Sequence, residues 1–179
     1  GLANYFPLNG SEVDTVNANN GKWTGNANYV EGKFGRSADF KGQSSIAIDT
    51  SYQFDRNQKV SYGAWVRITS NDSLTIISKI DSSNDFRGWD LFIQNGKVFV
   101  HIVNKFPTNC IRINTRSPIE LNKWRHVMVT YDGSSRAAGL HIFIDGKLAD
   151  SETTYDSLSD TILTTKPTVI GKRTEGAYF

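Results

Sequence analysis

Short runs in which apolar and polar residues alternate dominate the middle of the chain. Between Val60 and Ile68 every second residue is aliphatic or aromatic, and the intervening positions include Trp65 and Arg67. Five further runs repeat this pattern: Trp89–Gln94, Lys97–Val103, Cys110–Asn114, Arg125–Tyr131 and Leu140–Asp145. Successive side chains of a β-strand point to opposite faces, so this alternation predicts strands that bury one face.

Turn residues separate these runs. Asn95-Gly96 lies between two alternating runs, which predicts a tight hairpin, and Asp132-Gly133 and Asp145-Gly146 are further turn signals. No segment has the spacing of a convincing amphipathic helix. Strands that follow one another without intervening helices are typical of an all-β fold, and we predict one antiparallel β-sandwich spanning residues 1–179.

Composition and charge exclude several classes of protein. With 179 residues, 38% of them hydrophobic and 21% charged, the chain can bury one sizeable core. A formal net charge of +2 is too small to predict a nucleic-acid partner. No apolar run is long enough for a membrane-spanning helix. Cys110 is the single cysteine, so an intramolecular disulfide and a cysteine-based metal cluster are both excluded.

The strand-bearing segments also carry motifs in a recognisable order. These motifs are Ala38-Asp39-Phe40-Lys41-Gly42, Ser61-Tyr62-Gly63-Ala64-Trp65-Val66, Trp124-Arg125-His126-Val127, Phe143-Ile144-Asp145-Gly146-Lys147 and Val169-Ile170-Gly171. In this order and spacing the chain resembles the concanavalin A-like jelly roll of the laminin G type. The resemblance implies a final strand after the last motif, but the sequence ends at Phe179 before the residue pattern of that strand appears. We therefore expect that strand to be missing or to begin only at the end, with an exposed edge or a partner strand there.

A narrower resemblance concerns the regions around Arg87-Gly88-Trp89-Asp90-Leu91 and Phe106-Pro107-Thr108-Asn109. They look like laminin G-like domains inserted in planctomycete proteins that also carry cytochrome c-type segments. This implies an exported parent protein, extracellular or periplasmic, engaged in polysaccharide breakdown. The segment itself has no C-x-x-C-H motif, so no haem is expected in it.

An enzyme is the less favoured interpretation. A glycosidase usually needs two facing carboxylates, and none of the five glutamates lies inside a clearly predicted strand. Asp90 is the only carboxylate well inside a predicted sheet face, and it is expected to serve structure or binding rather than catalysis. A glycan hydrolase or lyase therefore stays as a minor alternative.

Binding is the favoured interpretation, because the strand faces opposite the apolar sets carry side chains that suit sugars. Aromatic rings stack on sugar rings, and charged or amide groups bind hydroxyls and acidic groups. The predicted ligand-binding residues are Asp90, His101, Arg112, Arg87, Trp89, Arg67, Asn109 and Phe106. Several arginines in one groove would favour an acidic or sulfated polysaccharide. The alternative is that Trp65, Phe92 and His126, with Met128, form a second core layer.

Two expectations rest on the family resemblance alone. Related domains bind a structural calcium ion through an aspartate and backbone carbonyls, and Asp39 is the matching position. Laminin G domains also act as protein-interaction modules, so a protein partner is the second candidate for this chain. An exposed apolar patch or edge would favour it over a polar groove.

Overall fold

A computed structural model describes residues 1–48, 52–173 and 177–179. This part of the chain contains one short 3-10 helix, Ala137–Gly139, and sixteen strands. The strands are β1 (Lys22–Thr24), β2 (Tyr29–Glu31), β3 (Arg36–Ala38), β4 (Ser45–Ile48), β5 (Val60–Val66), β6 (Leu74–Asp81), β7 (Arg87–Gln94), β8 (Lys97–Lys105), β9 (Asn109–Thr115), β10 (Arg125–Tyr131), β11 (Leu140–Ile144), β12 (Lys147–Leu148), β13 (Ser151–Asp156), β14 (Thr168–Ile170), β15 (Lys172–Arg173) and β16 (Ala177–Tyr178). None of the helical structure described has the length and apolarity that crossing a membrane requires.

Two antiparallel sheets form the sandwich. The larger has eight strands in the order β1-β4-β14-β6-β7-β8-β9-β13, and the smaller has four in the order β12-β11-β10-β5. The hairpins β2–β3 and β15–β16 form two further small sheets. This architecture confirms the all-β jelly-roll prediction.

The core lies between the two sheets. Leu91, Val100 and Ile111 from the large sheet have no solvent exposure, and neither do Val127 and Ile142 from the small one. They occupy alternate positions along their strands, as the period-two pattern predicted. The other face of each strand therefore points away from this core, and we call it the outer face of its sheet.

Two predicted turns are confirmed. Asn95 and Gly96 have φ values of 52° and 72° and join β7 to β8, with Gln94 directly opposite Lys97. Asp145 and Gly146, at 52° and 78°, join β11 to β12 in the same way. Two consecutive positive φ values suit the twist of a two-residue hairpin, and Asn, Asp and Gly reach them most easily.

One central strand, β6, is not apparent from alternation. It lies between β14 and β7 in the large sheet, and Thr75, Ile76, Ser78, Lys79 and Ile80 are all buried. A strand buried on both faces loses the alternation of apolar and polar residues. A register shift between Thr75 and Ile77 disturbs the pattern further.

The C-terminal hairpin β15–β16 packs on the outer face of the large sheet. The Ser78 hydroxyl donates to the Lys172 carbonyl at 2.7 Å. Beyond the hairpin, the Phe179 amide donates to the Gly171 carbonyl at 2.9 Å, and the Phe179 ring meets Phe40 edge-on. The absence of a final strand, and a partner strand in its place, stay predictions.

Candidate functional site

One row of side chains crosses the outer face of the large sheet. Ser78, Asp90, His101, Arg112 and Tyr155 are direct partners on the successive strands β6, β7, β8, β9 and β13. Directly opposed residues of neighbouring strands project to the same face. The structure therefore brings together Asp90, His101 and Arg112, which alternation placed on one side.

A buried ionic cluster forms the centre of this row. Asp90 has no solvent exposure, and its Oδ1 lies 2.9 Å from His101 Nδ1. Its Oδ2 lies 2.6 Å from the Nε of Arg173, a residue of β15. Burial by itself raises the pKa of Asp90, but the charges of His101 and Arg173 outweigh that effect and hold the pKa below its ordinary value.

Aromatic rings pack around the ionic cluster at the centre of this face. Phe92 stacks on Phe99 and on His101, with centroid distances of 5.1 Å to each. The Arg173 guanidinium lies 5.2 Å from the Phe92 ring centroid and 5.5 Å from that of Phe86. Of the alternative second core layer, Phe92 alone is buried, under the C-terminal hairpin. Trp65 is 40% exposed on the other sheet, so the layer does not form as predicted.

Arg112 lies at the edge of the area that the C-terminal hairpin covers. Its guanidinium carbon is 4.8 Å from the Phe99 ring centroid, and the residue is half-buried. Its Nε is shielded from solvent without a hydrogen-bond partner, and no residue in the described part of the chain pairs with its charge. A guanidinium held this way has fork-like donors that suit a carboxylate or sulfate.

Phe106 reaches the same place from the turn between β8 and β9. Its ring lies edge-on to His101 at 5.9 Å and to Tyr155 at 5.5 Å. We call the group formed by Phe99, Phe106, Arg112 and Tyr155 the Arg112 surface. It combines one unpaired cation with three aromatic rings.

The side-chain amide of Asn109 is bonded within the protein and is not free to contact a ligand. Its Nδ2 donates to Ser159 Oγ at 3.0 Å and to Asp160 Oδ2 at 2.7 Å, and its Oδ1 accepts from the Ser159 amide at 2.8 Å. These three bonds use both ends of the amide. Asn109 therefore fixes the loop that follows β13.

Three other predicted site residues are not brought to this face. Trp89 is 5% exposed and packs in the core, 4.7 Å from the Tyr62 ring. Arg87 lies on the same side of β7 as Trp89 and donates from Nε to the Asn104 carbonyl at 3.3 Å. Both occupy odd positions of a strand whose even positions form the outer face. Arg67 follows β5 and therefore belongs to the small sheet, on the far side of the sandwich.

Sequence reasoning missed Arg173 and Tyr155. Arg173 follows a motif that was assigned only to the fold, and it meets Asp90 through packing of the C-terminal hairpin. Tyr155 lies in β13, where Ser151–Asp156 lacks an apolar face, and its pairing with Arg112 follows from strand order. No local pattern around these residues signals the contact.

The surroundings of Asp39 fit a calcium ion poorly. Its Oδ2 accepts from Asn28 Nδ2 at 2.9 Å, and the Lys41 ammonium lies 4.0 Å from the same oxygen. Among the residues described, no three His, Cys, Asp or Glu side chains converge on one point. Calcium at Asp39 stays a prediction, for which backbone carbonyls would have to supply most ligands.

Comparison with known proteins settles the family. Residues 40–179 match the laminin G-type model of the concanavalin A-like lectin/glucanases superfamily. The chain belongs to this superfamily. A comparison with curated proteins finds no significant match. The narrower resemblance to planctomycete proteins stays a prediction.

Solved structures share the superfamily fold at low sequence identity. Domain 4 of AbnA, an extracellular arabinanase from Geobacillus stearothermophilus solved with arabinotriose, aligns with a TM-score of 0.55 and 18% identity, over 91% of this chain and 79% of that one. The botulinum neurotoxin serotype C1 binding domain aligns at 0.59 and 18%, over 88% of this chain and 39% of that one. The botulinum neurotoxin DC binding domain, solved with rat synaptotagmin II, aligns at 0.55 and 16%, over 88% and 40%. This chain thus spans about two fifths of the neurotoxin domains.

Proposed function

We propose that this domain is a non-catalytic carbohydrate-binding module of an exported protein. Its ligand is an acidic or sulfated polysaccharide, and the Arg112 surface is the contact. The observation that carries the proposal is the Arg112 guanidinium, which lies over Phe99 with no ion pair in the described residues. A partly desolvated cation of this kind gains most from an anionic ligand group.

The rings around Arg112 supply the rest of the recognition. Tyr155 is the direct strand partner of Arg112, and Phe106 packs edge-on against Tyr155. Both rings are half-buried, so each keeps some surface for a ligand. Aromatic side chains give sugar sites apolar contact area, and the Tyr155 hydroxyl adds a polar contact. An acidic sugar would thus meet a charge and two ring surfaces together.

Asp90 and His101 act behind this surface rather than on it. Both side chains are almost fully buried, and they pair with each other and with Arg173. A carboxylate that is held ionised and shielded from solvent is poorly suited to protonate a leaving group. Their arrangement favours a binding module over a hydrolase or lyase, with Asp90 and His101 positioning the strands that carry the contacts.

The comparisons support a binding role in general terms. Domain 4 of the arabinanase was solved with arabinotriose, and the neurotoxin domains are binding domains by their descriptions. Export and the choice of an acidic polysaccharide rest on the arginine chemistry and on the family resemblance.

Binding to soluble acidic glycans tests the proposal. Heparin, chondroitin sulfate, alginate and polygalacturonate would be titrated against wild type, Arg112→Ala and Arg116→Ala, with circular dichroism to verify folding. Arg116 is a matched control because it already pairs with Asp150 and Glu152. We expect one acidic glycan to bind, and Arg112→Ala alone to weaken it by about tenfold or more, the size of a lost charged hydrogen bond. Equal binding by all three proteins, or none, would refute the assignment.

A protein ligand is the second candidate. Phe86 is 38% exposed beside Arg173 and adds apolar area next to the Arg112 surface. The neurotoxin DC domain was solved with a protein partner on the same type of scaffold. Failure of every glycan, together with self-association or peptide binding that Phe86→Ala abolishes, would favour this candidate.

A further inference from the structure

A second group of rings and charges lies on the opposite side of the sandwich. On the outer face of the small sheet, Trp65 of β5 directly faces His126 of β10. Two positions further along, Arg67 follows β5 and Trp124 precedes β10, and the Arg67 guanidinium lies 5.6 Å from the Trp124 ring centroid. The antiparallel register therefore produces two adjacent cross-strand pairs on one face.

The hairpin β2–β3 contributes a further ring to this group. Phe34 at its tip meets Trp65 edge-on, with a centroid distance of 5.7 Å. Phe34 is 67% exposed and Trp65 is 40% exposed, in contrast to the buried rings of the large sheet. We call Phe34, Trp65, Arg67 and Trp124 the aromatic strip. Exposed rings in one group, rather than scattered singly, mark an interaction surface.

A surface cavity borders the strip where the hairpin meets Trp124. Its volume is about 400 Å³, and it is lined by Val30, Glu31, Gly32, Arg67 and Trp124. This volume falls within the range of roughly 300–1,000 Å³ that is usual for small-ligand sites. The lining pairs one ring with one carboxylate and one guanidinium.

The charges of the cavity balance one another. Glu31 and Arg67 have no salt bridge to any residue in the described part of the chain, so both groups keep their hydrogen-bonding capacity for a ligand. A carboxylate accepts and a guanidinium donates, which together match vicinal hydroxyl groups. Lys33, with its ammonium 5.1 Å from the Trp65 centroid, is exposed and adds a positive charge outside the cavity.

We infer that the aromatic strip and its cavity form a second carbohydrate site, for a neutral pyranose oligosaccharide. The rings of Trp124, Trp65 and Phe34 supply stacking surfaces. Glu31 and Arg67 bind hydroxyls of the sugar in the cavity. Glu31 disfavours an acidic sugar here, because like charges repel at short range. This site goes beyond the Arg112 surface, does not depend on it, and would make the domain bivalent.

The test uses neutral hexasaccharides as probes. Cellohexaose, xylohexaose, mannohexaose and laminarihexaose, with hexagalacturonate as the acidic comparison, would be titrated calorimetrically into wild type and variants. The variants are Trp124→Ala, Trp124→Phe, Glu31→Gln, Arg112→Ala and Arg136→Ala. Arg136 is a control because it is exposed and belongs to neither surface. Chemical denaturation of each variant verifies that the fold is retained.

We expect one neutral hexasaccharide to bind. Trp124→Ala should weaken it roughly thirtyfold, the effect of truncating a hot-spot aromatic, and Trp124→Phe should weaken it less. Glu31→Gln should weaken it roughly tenfold, as for a lost charged hydrogen bond. Arg112→Ala and Arg136→Ala should leave it unchanged, which separates this site from the Arg112 surface.

Other outcomes would overturn the inference. Binding of hexagalacturonate alone, weakened by Trp124→Ala and not by Arg112→Ala, would assign the strip to acidic sugars. Failure of every neutral probe to bind would remove the site. Self-association in sedimentation experiments that Trp124→Ala abolishes would assign the strip to a second copy of the chain. Loss of neutral-sugar binding in Arg112→Ala, with Trp124→Ala unaffected, would place that ligand on the other face.

Discussion

The outer faces of the two sheets have similar sequence patterns and opposite environments. Both carry aromatic and charged residues at alternate strand positions. On the large sheet Phe92 is 6% exposed and Asp90 has no exposure, whereas on the small sheet Trp65 is 40% exposed and Arg67 is exposed. The difference arises because the C-terminal hairpin and Phe86 cover the large sheet at its centre.

This contrast shows how added layers change the role of a polar residue. Asp90 would be a surface carboxylate if its sheet face met water, but under the hairpin it becomes the centre of a buried ionic cluster with His101 and Arg173. The two faces therefore expose different groups to solvent. The large sheet is open at its margin, around Arg112, and the small sheet leaves the aromatic strip exposed. Four experiments test this division, from the largest expected effect to the smallest.

The strongest test compares two outward-facing rings. We expect Phe92→Ala to lower the free energy of unfolding by about 3–5 kcal/mol, because it removes a buried ring and leaves a cavity. Trp65→Ala should cost less, about 1–2 kcal/mol, because 40% of that residue is already exposed to water. Urea denaturation measures both values. Equal losses would mean that the two faces do not differ in burial.

Removing the carboxylate at the centre of the cluster comes next. Asp90→Ala should lower the free energy of unfolding by about 3 kcal/mol, because it leaves buried positive charge without compensation. The exposed Asp72 provides the control, and Asp72→Ala should change the value by less than about 0.5 kcal/mol. Urea denaturation near neutral pH is again the measurement, and a loss as small as the control's would contradict a buried ionic cluster.

The pH dependence of the unfolding free energy tests the same ionic cluster. The folded pKa of Asp90 is lower than its ordinary value of 3.8, so ionised Asp90 stabilises the fold above that pH. As the pH falls below 3.8 and through the folded value, this contribution is lost. The advantage of wild type over Asp90→Asn in unfolding free energy should therefore be full at pH 6 and shrink below pH 3.8. An advantage that stays constant across this window would show that the charge of Asp90 contributes nothing.

The smallest expected effect is the salt response of the two binding surfaces. An acidic glycan bound through Arg112 should lose affinity several-fold when the ionic strength rises from about 0.05 M to 0.5 M, because salt screens charge pairs. A neutral hexasaccharide on the aromatic strip should change by less than about twofold over the same range. Calorimetric titrations at both ionic strengths provide the values. An equal response of the two ligands would remove the proposed difference in chemistry.

Much of the fold was predictable because alternation is a local property. The strands around Trp89–Gln94 and Lys97–Val103, and the hairpin at Asn95-Gly96, follow from neighbouring residues alone. Strand β6 was not apparent, since burial of both faces removes the alternation on which the prediction depends. The grouping of Asp90, His101 and Arg112 was also predictable, because each lies on the polar side of its own strand.

Trp89, Arg87 and Arg67 were wrongly grouped with Asp90, for two different reasons. Trp89 and Arg87 lie near Asp90 in the chain, but the pleat directs their side chains to the opposite side of β7. Arg67 has the same alternation as Asp90, and only the assignment of β5 to the small sheet separates the two.

The resemblance of its motifs to known ones indicated the jelly-roll family. Residue patterns in the amino-acid sequence by themselves determined the all-β class and, in the strands that alternate, the side that faces the core. These properties depend on the spacing of residues along a strand and on turn chemistry. Tertiary structure alone decided which polar face is covered and which is open to water. That outcome depends on where β15, with Arg173, packs against the sheet, a contact between distant segments that no local pattern encodes.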